Sequence, residues 1–300
     1  MNMHGAQRQP LSATRWHFQH GPMDVVLDAD GRPDAVASAH EAAWQRFGPL
    51  LAELVAELPL LRQPVDAAGQ SCPMHGSVAR RMWQACAPFA HDFITPMAAV
   101  AGAVAQELMA CYQRDGIQRA WVNNGGDIAI HLAPAQSTRI GLWSDLSRLG
   151  QALNQVQLSG QLLPDGRLSI HADDGVRGVA TSGWRGRSHS LGIADSVTVL
   201  AASAAMADAA ATVIANAVNL DDVRIERRPA CELRDDSDLG TRLVTVGVPP
   251  LSATLRHEAL RNGLEVARQI QSRGLIHSAA LVCQGELMEL PSAQPLAAAA

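Results

Sequence analysis

With 300 residues, 47% of them apolar, the chain is long enough for one large domain or two average ones, and too rich in core formers for disorder. Its net charge of −5 leaves no basic footprint for nucleic acid. All 24 basic residues are arginine, which excludes lysine Schiff-base chemistry and a phosphate-loop lysine; any phosphate must be held by arginine, backbone N–H groups or a metal.

Residues 1–12 read as a flexible tail. RWHFQHGPMDVVLD, from Arg15 to Asp28, reads as two short strands around a His-Gly-Pro turn. From Ser38 the spacing of Ala42, Trp44, Phe47, Leu50, Leu51, Leu54, Val55 and Leu58 predicts a pair of helices broken at Gly48-Pro49. Residues 64–78 carry turn formers and read as loop, and a short helix around Val78–Ala87 ends before Pro88. PMAAVAGAVAQELMACYQRDG predicts a helix that starts at Pro96 and stops at Gly116.

Trp121-Val122 lead as a strand into Asn123-Asn124-Gly125-Gly126-Asp127, with Ile128–Leu132 as the next strand. This is a hairpin-like turn, and Gly-Gly also marks a close backbone approach to a ligand. RIGLW, VQLSG and GRLSIH within 139–171 alternate as strands do. A Gly- and Ser-rich loop at 175–192 precedes a strand at 196–200, and Ser203 is placed to cap the alanine helix that follows. Strand 243–248, helix 253–272 and strand 277–284 complete the core, and 291–300 form a second tail. The expected architecture is a single α+β domain over 13–290, with a mixed, mostly antiparallel sheet packed against helices.

Five widely spaced cysteines, Cys72, Cys86, Cys111, Cys231 and Cys283, do not make a disulfide framework. The first sixteen residues have no apolar signal core, and no run of about 18 apolar residues predicts a membrane span. A reduced, cytoplasmic protein that needs no membrane and binds no nucleic acid is therefore expected.

Two segments carry candidate chemistry. In MADAAATVIANA, Asp208, Thr212 and Asn216 fall four residues apart on one stripe of an alanine helix. Thr212 in such a pair can simply back-bond within its helix. Alternatively, one carboxylate and one hydroxyl suit Mg²⁺, which uses few carboxylates and fills its other positions with water and phosphate. The 175–192 loop holds Arg185, Arg187, Ser188, His189 and Ser190. It reads either as a solvated tip or as an anion cradle in which His189 accepts a proton. Cys72-x-x-His75 has ligand spacing but no second pair, and reads as loop.

Three segments in order, PMAAVAGAVAQEL (96–108), VNNGGDIAI (122–130) and TSGWRGRSHSLGIADSVTVLAASAAMADAAATVIANAV (181–218), resemble the ApbE-like superfamily, which includes the FAD:protein FMN transferases, and most nearly a side branch of it. The resemblance implies a Mg²⁺ ion on Asp208 and Thr212, helped by a main-chain carbonyl matching Ala211. It implies that the turn Asn124, Gly125, Gly126 and Asp127 lies against a flavin nucleotide, FAD or FMN, with Ser182, Gly183, Arg185 and Arg187 contributing. His189 is the nearest match to a base that activates an acceptor hydroxyl. The sequence departs from the transferases in a shortened SHSLGIADSVTV segment without proline, and in Ala101-Gly102 where they carry Lys-Gly. The implied activity is a Mg²⁺-dependent transferase or phosphohydrolase acting on FAD or a related pyrophosphate-bearing cofactor, with a nucleotide ligand and an acceptor protein, and with a homodimer compatible with both. The alternatives are a module that holds a flavin nucleotide without turnover, and a purely structural role.

Overall fold

The computed structural model describes residues 5–66, 71–142, 166–186 and 188–293. The expectations for VQLSG at 156–160, for Arg187 and for the last seven residues fall outside them. The first strands follow from alternation. β2 (Arg15–His20) and β3 (Met23–Gly31) pair antiparallel around the expected Gly21-Pro22 turn. β3 turns Met23, Val25, Leu27 and Ala29 to one face, where all are buried. Helix α1 (Pro33–Ala56) lies on that face with Ala39, Ala43, Phe47, Leu50 and Leu54 inward. Phe18 of β2 meets Phe47 with ring centroids 5.4 Å apart.

The helices correct two expectations. α1 does not break at Gly48-Pro49 but runs through it. Pro49 lies on the exposed side beside exposed Gln45, so the carbonyl left without its N–H partner faces water, while the buried stripe continues unbroken on the other side. The segment from Pro96 starts not as α-helix but as a 3₁₀ turn, Pro96–Ala99, which leads into α3 (Val100–Met109); between α1 and α3 lies α2 (Ser77–Cys86).

The main sheet continues through β4 (Ile117–Asn124) and β5 (Asp127–Leu132), joined by Gly125-Gly126 with φ of 68° and 116°. Both values lie where only glycine is comfortable. β5 pairs with β8 (Gly178–Ser182), which forms inside the stretch expected as loop, and β8 pairs with β9 (Ser196–Ala201). β12 (Ser278–Cys283) and β13 (Glu286–Leu290) close the far edge. At the near edge, Gln7–Pro10 forms β1 against β2, so part of the 1–12 segment expected as tail belongs to the sheet. The nine strands run in the order β1-β2-β3-β4-β5-β8-β9-β12-β13, every neighbouring pair antiparallel. The expected α+β class holds, and its sheet is antiparallel at each of these pairs.

β9 is buried at all six positions because both of its faces are covered. Val197, Val199 and Ala201 join the main core, while Leu200 joins Ile130, Val179 and Ile170 beneath a hairpin of β6 (Ser137–Leu142) and β7 (Gly166–His171). A second small ribbon pairs β10 (Glu226–Pro229) with β11 (Leu243–Gly247). Helix α4 (Ala204–Ala217) opens on Ser203, whose hydroxyl accepts from Met206 N at 3.3 Å, as expected of a cap. Its alanine side packs onto β8 and β9. A Cβ on Gly178 would stand 2.3 Å from Ala204 N, and one on Gly102 of α3 would stand 2.3 Å from Ala204 O. The start of α4 is thus wedged between a strand glycine and a helix glycine. Helix α5 (Ala253–Ser272), with the bounds its periodicity predicts, packs Ala259, Leu260, Leu264 and Ala267 into the same core.

Candidate functional site

The close approach at Gly102 decides where the chemistry-bearing groups meet. Asp208 lies in the second turn of α4 and reaches across to α3, where its Oδ2 accepts from Gly102 N at 2.9 Å. The Asn124 side-chain amide donates to the neighbouring Ala101 carbonyl at 3.2 Å. The β4–β5 turn is therefore fastened to the backbone segment that Asp208 grips. On the other side of the turn, Asp127 pairs with Asn124 in register, is 8% exposed, and accepts from Thr181 N at 3.2 Å. The Thr181 hydroxyl is in turn bonded to that of Thr198 at 2.9 Å.

Both carboxylates resist ionisation. Burial pushes Asp127 up to about 7, against the pull of the Thr181 N–H. Asp208 is raised well above the usual carboxylate range, first by burial and then by the negative charge of Asp127, and the Gly102 and Ala101 N–H groups only partly offset this. Nearby Cys86 is buried and its thiol is pushed upward, again mainly by burial, with the Asp208 charge adding. One proton between two carboxylates, or a cation, would relieve this arrangement.

The helix stripe divides into two. Thr212 is half-buried one turn beyond Asp208, and Ala211 beside it is fully buried. Asn216, at the far end, ties down a loop instead. Its Oδ1 accepts from Ser190 Oγ at 3.1 Å and from Leu191 N at 2.9 Å, while Asn219 donates to Leu191 O at 2.9 Å. His189, the residue before this clamp, is half-buried at the C-terminal end of α4. Eight residues of helix separate Asp208 from Asn216, about 12 Å of axis.

The remaining expected contacts sit between these ends. Ser182 is half-buried at the end of β8, and Gly183 is buried. Arg185 is exposed, stacks over Trp184 at 5.0 Å, and has its Nε 3.3 Å from Asp195 Oδ1, so it is held against the loop base rather than waving from a tip. The structure thus brings Asn124 and Asp208 together on the Ala101-Gly102 backbone beside the first turns of α4, with Asp127 in the same hairpin. Thr212 follows one turn along the helix, His189 lies at its other end, and Arg185 is held at Asp195. Sequence reasoning noted Ala101-Gly102 only as a departure from the transferases, gave its backbone no site role, and did not find Thr181. The one available signal was Gly102 itself, alone among small apolar residues in VAGAVA.

The described residues thus define an antiparallel α+β protein with Asn124, Asp127 and Asp208 gathered near the start of an alanine-rich helix. The chain belongs to the family described as AbpE bacteria, whose model matches residues 6–289. The resemblance carried by the three sequence segments is thereby borne out. Over 246 residues the chain is 36% identical to UPF0280 protein MK0206 of Methanopyrus kandleri, covering 78% of this chain and 90% of that one. Over 144 residues it is 39% identical to a UPF0280 protein of Methanothermobacter thermautotrophicus, covering 48% of this chain and 50% of that one. The chain thus spans about half the length of that second relative. Among solved structures, the apo crystal structure of Pseudomonas stutzeri flavinyl transferase ApbE is similar over 97% of this chain and 96% of that one, at 13% identity and a TM-score of 0.42. No helix among the described residues is long and apolar enough to cross a membrane.

Proposed function

We propose that this chain is a Mg²⁺-dependent transferase or phosphohydrolase that acts on the pyrophosphate of FAD or a related cofactor. The observation that carries the reading is the pair of buried Asp127 and half-buried Asp208, one on the β4–β5 hairpin and the other gripping the Gly102 backbone, each with its proton affinity raised. Such a pair has too much negative charge for its surroundings, and a hard dication corrects that. The donor set fits: it is all oxygen, from Asp208, Thr212 and Asp127, with a backbone carbonyl at Ala211 implied by the sequence resemblance. Among the described residues no group of three or more His, Cys, Asp or Glu side chains could hold a metal. The other positions would fall to water and ligand phosphate, the habit of Mg²⁺.

When bound, the ion would supply neutralisation of the charge that develops on the phosphate oxygens. The chain's own residues do the rest. The Gly125-Gly126 turn lets a ligand lie against backbone with no side chain between. Arg185 and Arg187 offer N–H donors to the nucleotide, and Ser182 and Gly183 line its approach. His189 accepts the proton of the attacking hydroxyl, from a Ser or Thr of an acceptor protein or from water. The span of about 12 Å along α4 between Asp208 and the His189 loop suits an extended nucleotide laid along the stripe.

That same separation favours the second reading, a module that holds the nucleotide and does not turn it over. Incubation with FAD and Mg²⁺, followed by chromatography for FMN and AMP, tests the two. Turnover that disappears in Asp208→Asn supports the enzyme. Binding of FAD without products in the wild type supports the module.

A further inference from the structure

Strand β1 buries nothing of its own. All four of its residues, Gln7–Pro10, are exposed, and no described strand pairs with its outer edge. Besides the ladder to β2, the Arg8 side chain anchors it. The guanidinium lies between two indoles, its carbon 5.4 Å from the Trp16 ring centroid and 5.1 Å from that of Trp44. Its Nη1 donates to Glu41 Oε2 at 2.6 Å. The core fixes the walls of this cage: Trp44 meets Phe18 edge-on at 5.2 Å, and Trp16 leans on buried His40. A rigid receptor on β2 and α1 thus takes its cation from an edge strand.

The connection between β1 and β2 is short and symmetric. Gln7 pairs with Gln19, Arg8 with Phe18, Gln9 with His17 and Pro10 with Trp16, so every pair is centred on Ala13. Leu11 N donates to Arg15 O at 2.8 Å, which carries the same register into the turn. A strand running straight from Gln7 to His20 would therefore meet an identical strand about a two-fold axis at Ala13, with every existing pair reproduced between copies. The faces match too. Arg8 and Trp16 are an even number of residues apart, so both stay on one face of the straightened strand.

We propose that two copies of this chain exchange β1, each Arg8 seating in its partner's cage of Trp16, Trp44 and Glu41, so that the two main sheets join across the axis. Charge complementarity selects the occupant, because the segment that fits the cage is the chain's own. The exchange adds ladder pairs at Leu11, Ser12 and Ala13, which lie in the turn of the single chain. Leu11, 49% exposed there, would lie opposite the partner's Arg15 instead. Short hinge turns favour exchange over folding back.

Charge reversal on either side of the cage tests this with the full chain. Arg8→Glu and Glu41→Arg change side chains that are 35% and 50% exposed, so each variant alone should still melt cooperatively. Within either variant, in one copy or between two, like charges meet in the cage. In an equimolar mixture, exchange between unlike copies restores one native cage and one reversed ion pair. Sedimentation velocity is expected to show a wild-type dimer. The mixture is expected to associate at least about a hundredfold more tightly than either variant alone, about tenfold for each restored pair. A wild type that is monomeric at every concentration would overturn the proposal. So would a mixture no tighter than its components, which would keep each β1 on its own chain and put any dimer on another surface.

Discussion

Asp127→Asn isolates the electrostatics of the acid pair. The substitution removes a charge and keeps the shape, and the amide oxygen can still accept from Thr181 N. In the wild type the folded Asp127 carboxyl titrates at about 7 rather than near 3.8. The folded protein therefore holds more protons than the unfolded chain between those values, so stability falls as pH rises from about 4 to about 7 and levels off above. A displacement of that size corresponds to about 4 kcal/mol lost by pH 8. Asparagine escapes this loss but accepts the Thr181 hydrogen bond less strongly, which costs about 1 kcal/mol. The expected net gain is about 3 kcal/mol at pH 8, or about 6–12 °C in Tm for a chain of this class. Calorimetric melts from pH 5.5 to 8.5 in EDTA read it directly: the wild-type Tm should fall across the range and the variant's should stay flatter. Mg²⁺ should raise the wild-type Tm more at pH 8 than at pH 5.5, where protons compete for the same oxygens. A wild-type Tm that is level with pH, together with a variant less stable throughout, would refute the reasoning and make Asp127 an ordinary satisfied anion.

The other expectations are narrower. Asp208→Ala should abolish the Mg²⁺-dependent rise in Tm while the protein still folds; an undiminished response to the ion in calorimetry would remove Asp208 as a ligand. Gly102→Ala places a methyl 2.3 Å from Ala204 O and 2.9 Å from the Asp208 Cβ, so it should cost several kcal/mol in urea denaturation and weaken any Mg²⁺ effect with it. His189→Asn should lower FAD turnover by at least about a hundredfold with flavin affinity nearly unchanged, and normal turnover would leave the histidine outside the chemistry. Asn216→Ala unfastens Ser190 and Leu191, and proteolysis near residue 190 should accelerate relative to the wild type.

What could be read from the sequence was what local rules govern. Ser203 caps α4, Gly125-Gly126 closes a hairpin, and the 253–272 periodicity returns as α5, because each depends on neighbours within a few residues. The misses are tertiary. β8 lies in a Gly- and Ser-rich stretch whose composition reads as loop; its Gly178 is there because Ala204 leaves no room for a side chain. Pro49 reads as a helix break, but its missing N–H falls on the wet side, where the loss is small. The pairing of Asp127 with Asp208 had no local signature. The two are brought together by a hairpin turn, a helix start and a second helix from three separate parts of the chain.

The stripe on α4 shows how one repeating pattern can carry two tasks. Asp208 and Asn216 are alike in spacing and polarity, yet Asp208 accepts from the backbone of α3 and Asn216 from the backbone of the 190–192 loop. Between them Thr212 is half-buried. The alanines around it serve the packed side: they let β8 and α3 close on the helix. Ala209 and Ala211 are fully buried, so enlarging them tests packing. Val213, half-buried on the same turn, packs against the main core as well, so enlarging it also tests packing. Thr212→Val keeps the shape and removes only the hydroxyl; it should leave urea stability within about 1 kcal/mol while weakening the Mg²⁺-dependent rise in Tm. A Mg²⁺ response equal to that of the wild type would confine the ion's protein ligands to the carboxylates and leave Thr212 a helix-surface hydroxyl.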